Sequence, residues 1–155
     1  MANDKSNTTE APVAIEIVPF GSIYISSAIT LWEATDHIGL SSADSPEALS
    51  KFLANNAGLS FCATENAHLV GTILCGTDGR RGYIHHLAVT KCCRGHGIAS
   101  RLLSQSLQAL ARIGIAKCHA FVFNDNPYAE LFWQPSGWQL REDLLVYSKL
   151  VPRGA

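Results

Sequence analysis

No run in this chain approaches the roughly 18 apolar residues that a membrane-spanning helix requires, and residues 1–12 lack the apolar stretch of a secretory signal. Charge is also scarce. Charged residues make up 16% of the 155 against 47% hydrophobic, which excludes a disordered chain and supplies one sizeable core. The length suffices for one domain of ordinary size and falls short of two. Cysteine is present without a pattern: Cys62, Cys75, Cys92, Cys93 and Cys118 form no Cys-x-x-Cys pair, and their number is odd. Three of them sit in strand-like or apolar runs, as small buried hydrophobes do. The expectation is a reduced, cytoplasmic protein with neither a disulfide frame nor a zinc site.

Acid is missing from one long stretch. Residues 79–124 hold no Asp or Glu, yet carry Arg80, Arg81, Lys91, Arg94, Arg101, Arg112 and Lys117, seven of the 12 basic residues. The remainder then has five basic against 13 acidic residues, a balance of −8. That polarity suggests a local anion site rather than a generally basic nucleic-acid binder. A chance run of basic surface is the alternative.

Periodicity supplies the element order. Val13, Ile15 and Ile17 alternate through a strand over 13–20. Tyr24, Ala28, Leu31, Trp32 and Thr35 recur at helical spacing. Asp44 or Ser45 can cap a second helix that has Pro46 at its first position and runs to about Asn55. Strands follow over 59–64, 69–75 and 82–89, the last pair joined by a turn at Thr77-Asp78-Gly79-Arg80. The longest helix is expected over 97–112, then a buried strand over 117–123, a short helix over 127–134 and a final hairpin over 138–149. The domain expected over 13–150 is thus mixed α/β. Residues 1–12 read as a disordered leader, and 151–155 as a tail resembling an added protease-cleavage linker.

The informative stretch runs His85-His86-Leu87-Ala88-Val89 and then Arg94-Gly95-His96-Gly97-Ile98-Ala99-Ser100, a strand followed by a glycine-rich turn that opens a helix. Such a turn lets backbone N–H groups approach an anion at a helix start. A Walker phosphate loop is excluded, because Gly-x-x-x-x-Gly-Lys-Ser/Thr occurs nowhere. A dinucleotide fold is disfavoured because Ser100 stands where the third glycine belongs. It also needs an acid about 20 residues on, inside the acid-free stretch.

Arg94-x-x-Gly97-x-Ala99 resembles the Arg/Gln-x-x-Gly-x-Gly/Ala signature with which GNAT N-acetyltransferases bind the coenzyme A pyrophosphate. The preceding Leu-Ala-Val and the downstream Asn126-x-x-Ala129-x-x-Phe132-Trp133…Gly137-Trp138 are similar to two further blocks of that family. The resemblance covers roughly 13–150. It implies a mostly antiparallel sheet of six or seven strands, splayed between the fourth and fifth, with about four helices. It further implies that Leu87, Ala88 and Val89 bind the pantetheine arm like an added strand, with Asn126 beside it. The amides of Arg94, Gly95, His96, Gly97, Ile98, Ala99 and Ser100 would wrap the pyrophosphate, with help from the Arg94 side chain and from Lys91 or Arg101.

The implied reaction is direct attack of an amine on acetyl-CoA, without metal. Since a lysine-like ammonium has a pKa of about 10.4, a base is useful. His85 is the first candidate, supported by a histidine on the equivalent strand of arylalkylamine acetyltransferases. Strand alternation puts Tyr83, His85 and Leu87 on one face and His86 on the other. The family's bulge there keeps His86 as the reserve. Trp133 occupies the position of the family's usual thiolate-protonating tyrosine, and indole N–H is no practical acid at neutral pH; Tyr128, Ser136 or Tyr83 could substitute. Trp133 otherwise packs in the core or against the cofactor, and Trp32 is read first as helix-face core. Two other outcomes stay open, a catalytically silent acyl-CoA-binding module and an enzyme acting on protein N-termini or lysines. The expected partners are acetyl-CoA and an amine, with neither nucleic acid nor membrane, and a homodimer as an option.

Overall fold

The computed structural model describes residues 14–154. The expected leader lies outside them. The chain divides into two compact units, one ending at Phe121 and one beginning at Val122.

The first unit is built on a five-stranded sheet in chain order, β1 (Ile15–Pro19), β2 (Phe61–Glu65), β3 (His68–Thr77), β4 (Gly82–Val89) and β5 (Cys118–Ala120). The first four strands pair antiparallel, and β5 joins β4 in parallel. Asn66 and Ala67, both at positive φ (49° and 64°), make the tight turn between β2 and β3. Helices α1 (Ile25–Glu33) and α2 (Pro46–Asn55) precede β2, and α3 (Ile98–Arg112) lies between β4 and β5. The start of α2 follows from its sequence: Pro46 takes the first position, and Ser45 Oγ accepts the Ala48 N–H. Asp44 does not cap α2; it ends a short 3-10 turn, Ser42–Asp44.

Trp32, Ala28 and Ile25 of α1 form one core layer with Leu49, Leu74 and Ala88. The stripe Ile98, Leu102, Leu103, Ser106, Ala109 and Leu110 buries α3. Gly82 allows close approach there, since a Cβ on it would lie 2.5 Å from Leu110 Cδ1. Cys62 and Cys75 are fully buried free thiols, and burial pushes both up to about 12.

The second unit holds one short helix, α4 (Ala129–Trp133), shorter than the 127–134 expected. The final hairpin expected over 138–149 is absent. Instead, the Arg141 guanidinium grips the Asp143 carboxylate through two bonds of 2.8 Å, and Leu144, Leu145, Val146 and Tyr147 stay exposed without strand pairing. The buried strand expected over 117–123 contracts to three half-buried residues, with Phe121 and Phe123 exposed. The described sheet therefore has five strands, not six or seven. Among the described residues, no helix is long and apolar enough to cross a membrane.

Candidate active site

The pairing of β4 with β5 is brief. It covers Gly82↔Cys118, Tyr83↔His119 and Ile84↔Ala120, after which β4 runs on to Val89 with no strand of the described residues on that edge. On its other edge β4 stays bonded to β3, and the Thr90 N–H reaches Val70 O at 2.8 Å. That bond makes Gly71↔Val89 a wide pair, so the peptide groups of Val89 turn toward the open edge. The Val89 carbonyl there accepts Arg94 Nε at 2.9 Å. Arg94 thus ties the turn back to the strand through its Nε. Arg101 similarly donates to Ile15 O at 3.0 Å.

Beyond Arg94 the chain passes through two left-handed glycines, Gly95 (φ 81°) and Gly97 (φ 76°), the second being the N-cap of α3. A Cβ on either would meet nothing within 4 Å. The first helical bond is Arg101 N–H to Gly97 O, and the N–H groups of residues 95–100 donate to no acceptor among the described residues. Six N–H groups without an acceptor, with open space beside Gly95 and Gly97 and at the positive end of a 15-residue helix, fit a multiply charged anion such as a pyrophosphate. Lys91 and His96 are exposed beside them.

The strand before this turn departs from simple alternation. Thr72 pairs with Ala88 but Leu74 pairs with His85, so His86 and Leu87 together face Ile73. This is a β-bulge, and His86 takes the positive φ of 47°. The bulge corrects the expected phase. His85 packs edge-on against Phe52 of α2 at 6.0 Å, and His86 lies 4.6 Å from the Trp32 ring of α1. Both imidazoles therefore face the α1/α2 layer, and Ala88, not Leu87, joins the Trp32 cluster.

Their environments differ. His85 has its pKa lowered from 6.5, first by burial and then by the neighbouring His86, with Asp44 acting in the opposite sense. His86 Nε2 meets Asp44 Oδ1 at 2.6 Å, with the two side chains 15% and 11% exposed. Nothing in the sequence singles out this partner, 42 residues away. Tyr83 is not brought to the bulge: its hydroxyl donates to Asp78 Oδ2 at 3.5 Å, and its ring stacks on Phe121. Trp32, 1% exposed, is core as first read.

A stability prediction follows from His85. Its depressed folded pKa means that the unfolded chain takes up the proton first as pH falls. The stabilisation is full above pH 6.5 and is lost on acidification from 6.5 toward the depressed value. Urea titrations of wild type and His85→Gln at pH 7.5 and 5.5 should show the variant losing less stability between the two. An equal loss in both would refute the assignment.

Cys92 and Cys93, beside the turn, keep their sulfurs 3.7 Å apart as free thiols. The Cys93 thiol is held above its ordinary pKa by desolvation first, and then by Cys92 and Glu65, so it is no ready nucleophile.

In the second unit, Asn126 Oδ1 accepts the Tyr128 N–H at 3.0 Å and so shapes the entry to α4. Trp133 packs edge-to-face between Phe132 (5.0 Å) and Trp138 (4.8 Å). Packing is therefore a sufficient reason for an indole at this position. Trp133→Tyr is expected to leave turnover flat or lower it, because poorer packing offsets any gained hydroxyl. A several-fold gain in Trp133→Tyr that is absent in Trp133→Phe would overturn this and make thiolate protonation the slow step.

Four similarities place this chain among known proteins. The family model described as acetyltransferase (GNAT) matches residues 27–138. An acetyltransferase of Pectobacterium atrosepticum is 34% identical over 113 residues, covering 72% of this chain and 79% of that one. The aminoglycoside N-acetyltransferase AAC(6')-Iy, solved with CoA, superposes with a TM-score of 0.72 at 15% identity over 90% of this chain and 97% of its own. Arabidopsis thaliana Naa50, solved with the bisubstrate analogue CoA-Ac-MVNAL, gives 0.66 at 21% identity over 84% and 86%. The protein is an acyltransferase enzyme of mixed α/β fold. It belongs to the GNAT acetyltransferase family.

Proposed function

We propose that the protein moves the acetyl group of acetyl-CoA directly to a primary amine of a small molecule or peptide. The observation that carries this reading is the opening along β4 that ends at the six free amides of residues 95–100. An extended thiol arm can add to the open edge of residues 87–89 while its diphosphate meets those amides. The side chains of His85 and His86 lie on one face of the same strand, a short step along it from that edge.

The chemistry requires a neutral amine, and an imidazole near pKa 6.5 can accept its proton at neutral pH. The C–N bond then forms as the C–S bond breaks, and the thiolate leaves with the electron pair. It takes up the surplus proton of the amide nitrogen, while the imidazolium returns its own to water. A coenzyme thiol of pKa about 8.5 leaves readily enough that a dedicated acid is not required. AAC(6')-Iy is named for aminoglycosides, and Naa50 was solved with a peptide-bearing analogue; both classes carry amines. The balance of −8 outside residues 79–124 suits a cationic acceptor of either kind.

The test is thiol release from acetyl-CoA with a panel of small polyamines, aminoglycosides and peptides with free N-termini or lysines. Release with one class supports the reading and names the acceptor. Tight acetyl-CoA binding without release for any amine would identify a silent acyl-CoA-binding module instead.

A further inference from the structure

We propose that Asp44 is a positioning residue for acetyl transfer: it holds the His86 proton on Nε2 and so leaves Nδ1 to take the proton of the acceptor amine. This rests on the acetyltransferase reading above.

Asp44 ends the 3-10 turn between α1 and α2, and both its oxygens are committed. Oδ2 accepts the Ser41 N–H at 2.9 Å, and Oδ1 lies 2.6 Å from His86 Nε2. A carboxylate that already accepts a backbone N–H acts as an acceptor, so the bond to His86 is an Nε2–H donation. The Ser41 bond alone completes the capping box, in which Ser41 Oγ in turn accepts the Ala43 N–H. The turn therefore does not need the bond to His86. That contact joins a loop to a strand bulge 42 residues away, in a largely buried place where a carboxylate left without its partner is costly.

The imidazole is held on its other sides too. The Trp32 ring lies against it, with centroids 4.6 Å apart and the planes tilted by 51°. Trp32 Nε1–H donates to Thr72 Oγ1 at 2.8 Å, and the Thr72 hydroxyl donates to the His86 carbonyl at 2.9 Å. These bonds hold the bulge in its positive-φ conformation. Nδ1 is left over. Among the described residues no group bonds it and no fully buried side-chain nitrogen or oxygen lacks a partner, so Nδ1 is not sealed in the interior. His85 has no such carboxylate contact and packs on Phe52. When Nδ1 takes up a proton, the imidazolium forms against the Asp44 charge, which stabilises it as it develops.

The experiment combines a double-mutant cycle with a tautomer readout in the whole 155-residue chain. Asp44→Asn retains an oxygen for the Ser41 N–H but offers its amide N–H to Nε2, which drives the ring proton to Nδ1. We expect kcat to fall about 10²-fold, with the KM for acetyl-CoA changed less than about twofold. The ¹⁵N ring shifts of His86 should report Nε2–H in wild type and Nδ1–H in the variant. In the His86→Ala background, Asp44→Asn should remove no further activity, since the two act as one unit. Asp44→Ser, which keeps a capping oxygen too short to reach His86, should show the same kcat loss and serves if Asp44→Asn melts early. Full activity in the soluble, folded variants, additive losses in the cycle, or Nδ1–H in wild type would overturn the proposal. Wild-type thiol release is the control: none with any amine refutes the acetyltransferase reading itself, whereas release unaffected by Asp44→Asn refutes only the role of Asp44.

Discussion

Replacing Gly97 with valine is expected to abolish measurable acetyl-CoA binding while leaving the fold in place. Two effects act together. Gly97 has φ 76° and ψ 11° at the N-cap of α3, a left-handed conformation that a β-branched residue resists strongly. The strain costs of order 1–3 kcal/mol and favours a rearranged turn in which the amides no longer converge. In addition, a Cβ at this position points into space with no atom within 4 Å, where the proposed diphosphate lies. The branched side chain then excludes the ligand directly. Since each 1.4 kcal/mol is a factor of ten, strain alone weakens binding roughly 5- to 150-fold, and exclusion takes it beyond calorimetric range. Helix α3 itself should survive, because Ile98, Leu102, Leu103 and Leu110 anchor it to the sheet. Gly97→Ala separates the two effects: it carries part of the strain with little of the bulk, and should bind with an intermediate affinity. Calorimetry showing wild-type affinity for a folded Gly97→Val would remove the pyrophosphate site from this turn.

How much of this was legible in the sequence depends on the range of the interactions. Strand β4 and helix α2 occupy the expected residues, 82–89 and 46–55, because both are bounded by local signals: a turn before the strand, and Ser45-Pro46 before the helix. The glycine turn was legible for the same reason. Gly95 and Gly97 announce left-handed backbone, and left-handed backbone is what turns successive amides outward. The bulge was not readable from these residues, since counting alternate positions along β4 cannot reveal a residue inserted relative to β3. The family resemblance alone raised it, as the reason for keeping His86 in reserve, and the register Thr72↔Ala88 and Leu74↔His85 places it. The Asp44 contact was invisible for a related reason. From sequence, Asp44 and Ser45 are rival caps for one helix; in the fold Ser45 takes that role, which leaves Asp44 free to reach His86. The missing hairpin is the converse case. Leu144-Leu145-Val146-Tyr147 has strand-like composition, but a strand exists only by bonding to another, and composition names no partner.

His86→Ala should therefore cost far more turnover than His85→Ala, reversing the order that strand alternation alone suggests. A positioned base contributes about 10²–10⁴-fold, and kcat for His86→Ala should fall by that order with little change in acetyl-CoA affinity. The loss should shrink at high pH, where more of the acceptor amine is already neutral and needs no base. His85→Ala removes a ring packed edge-on against Phe52 and leaves a gap beside α2, so its effect should appear mainly as reduced stability. Its turnover at pH 7 should stay within several-fold of wild type. The comparison controls for packing, because both variants delete an imidazole from the same face of β4, one residue apart. Only the His86 ring has the carboxylate partner that stabilises a positive charge as it forms. If His85→Ala loses turnover by 10²-fold or more while His86→Ala retains it, the buried, neutral imidazole is the base. The Asp44–His86 pair then does no more than fasten the loop before α2 to the sheet.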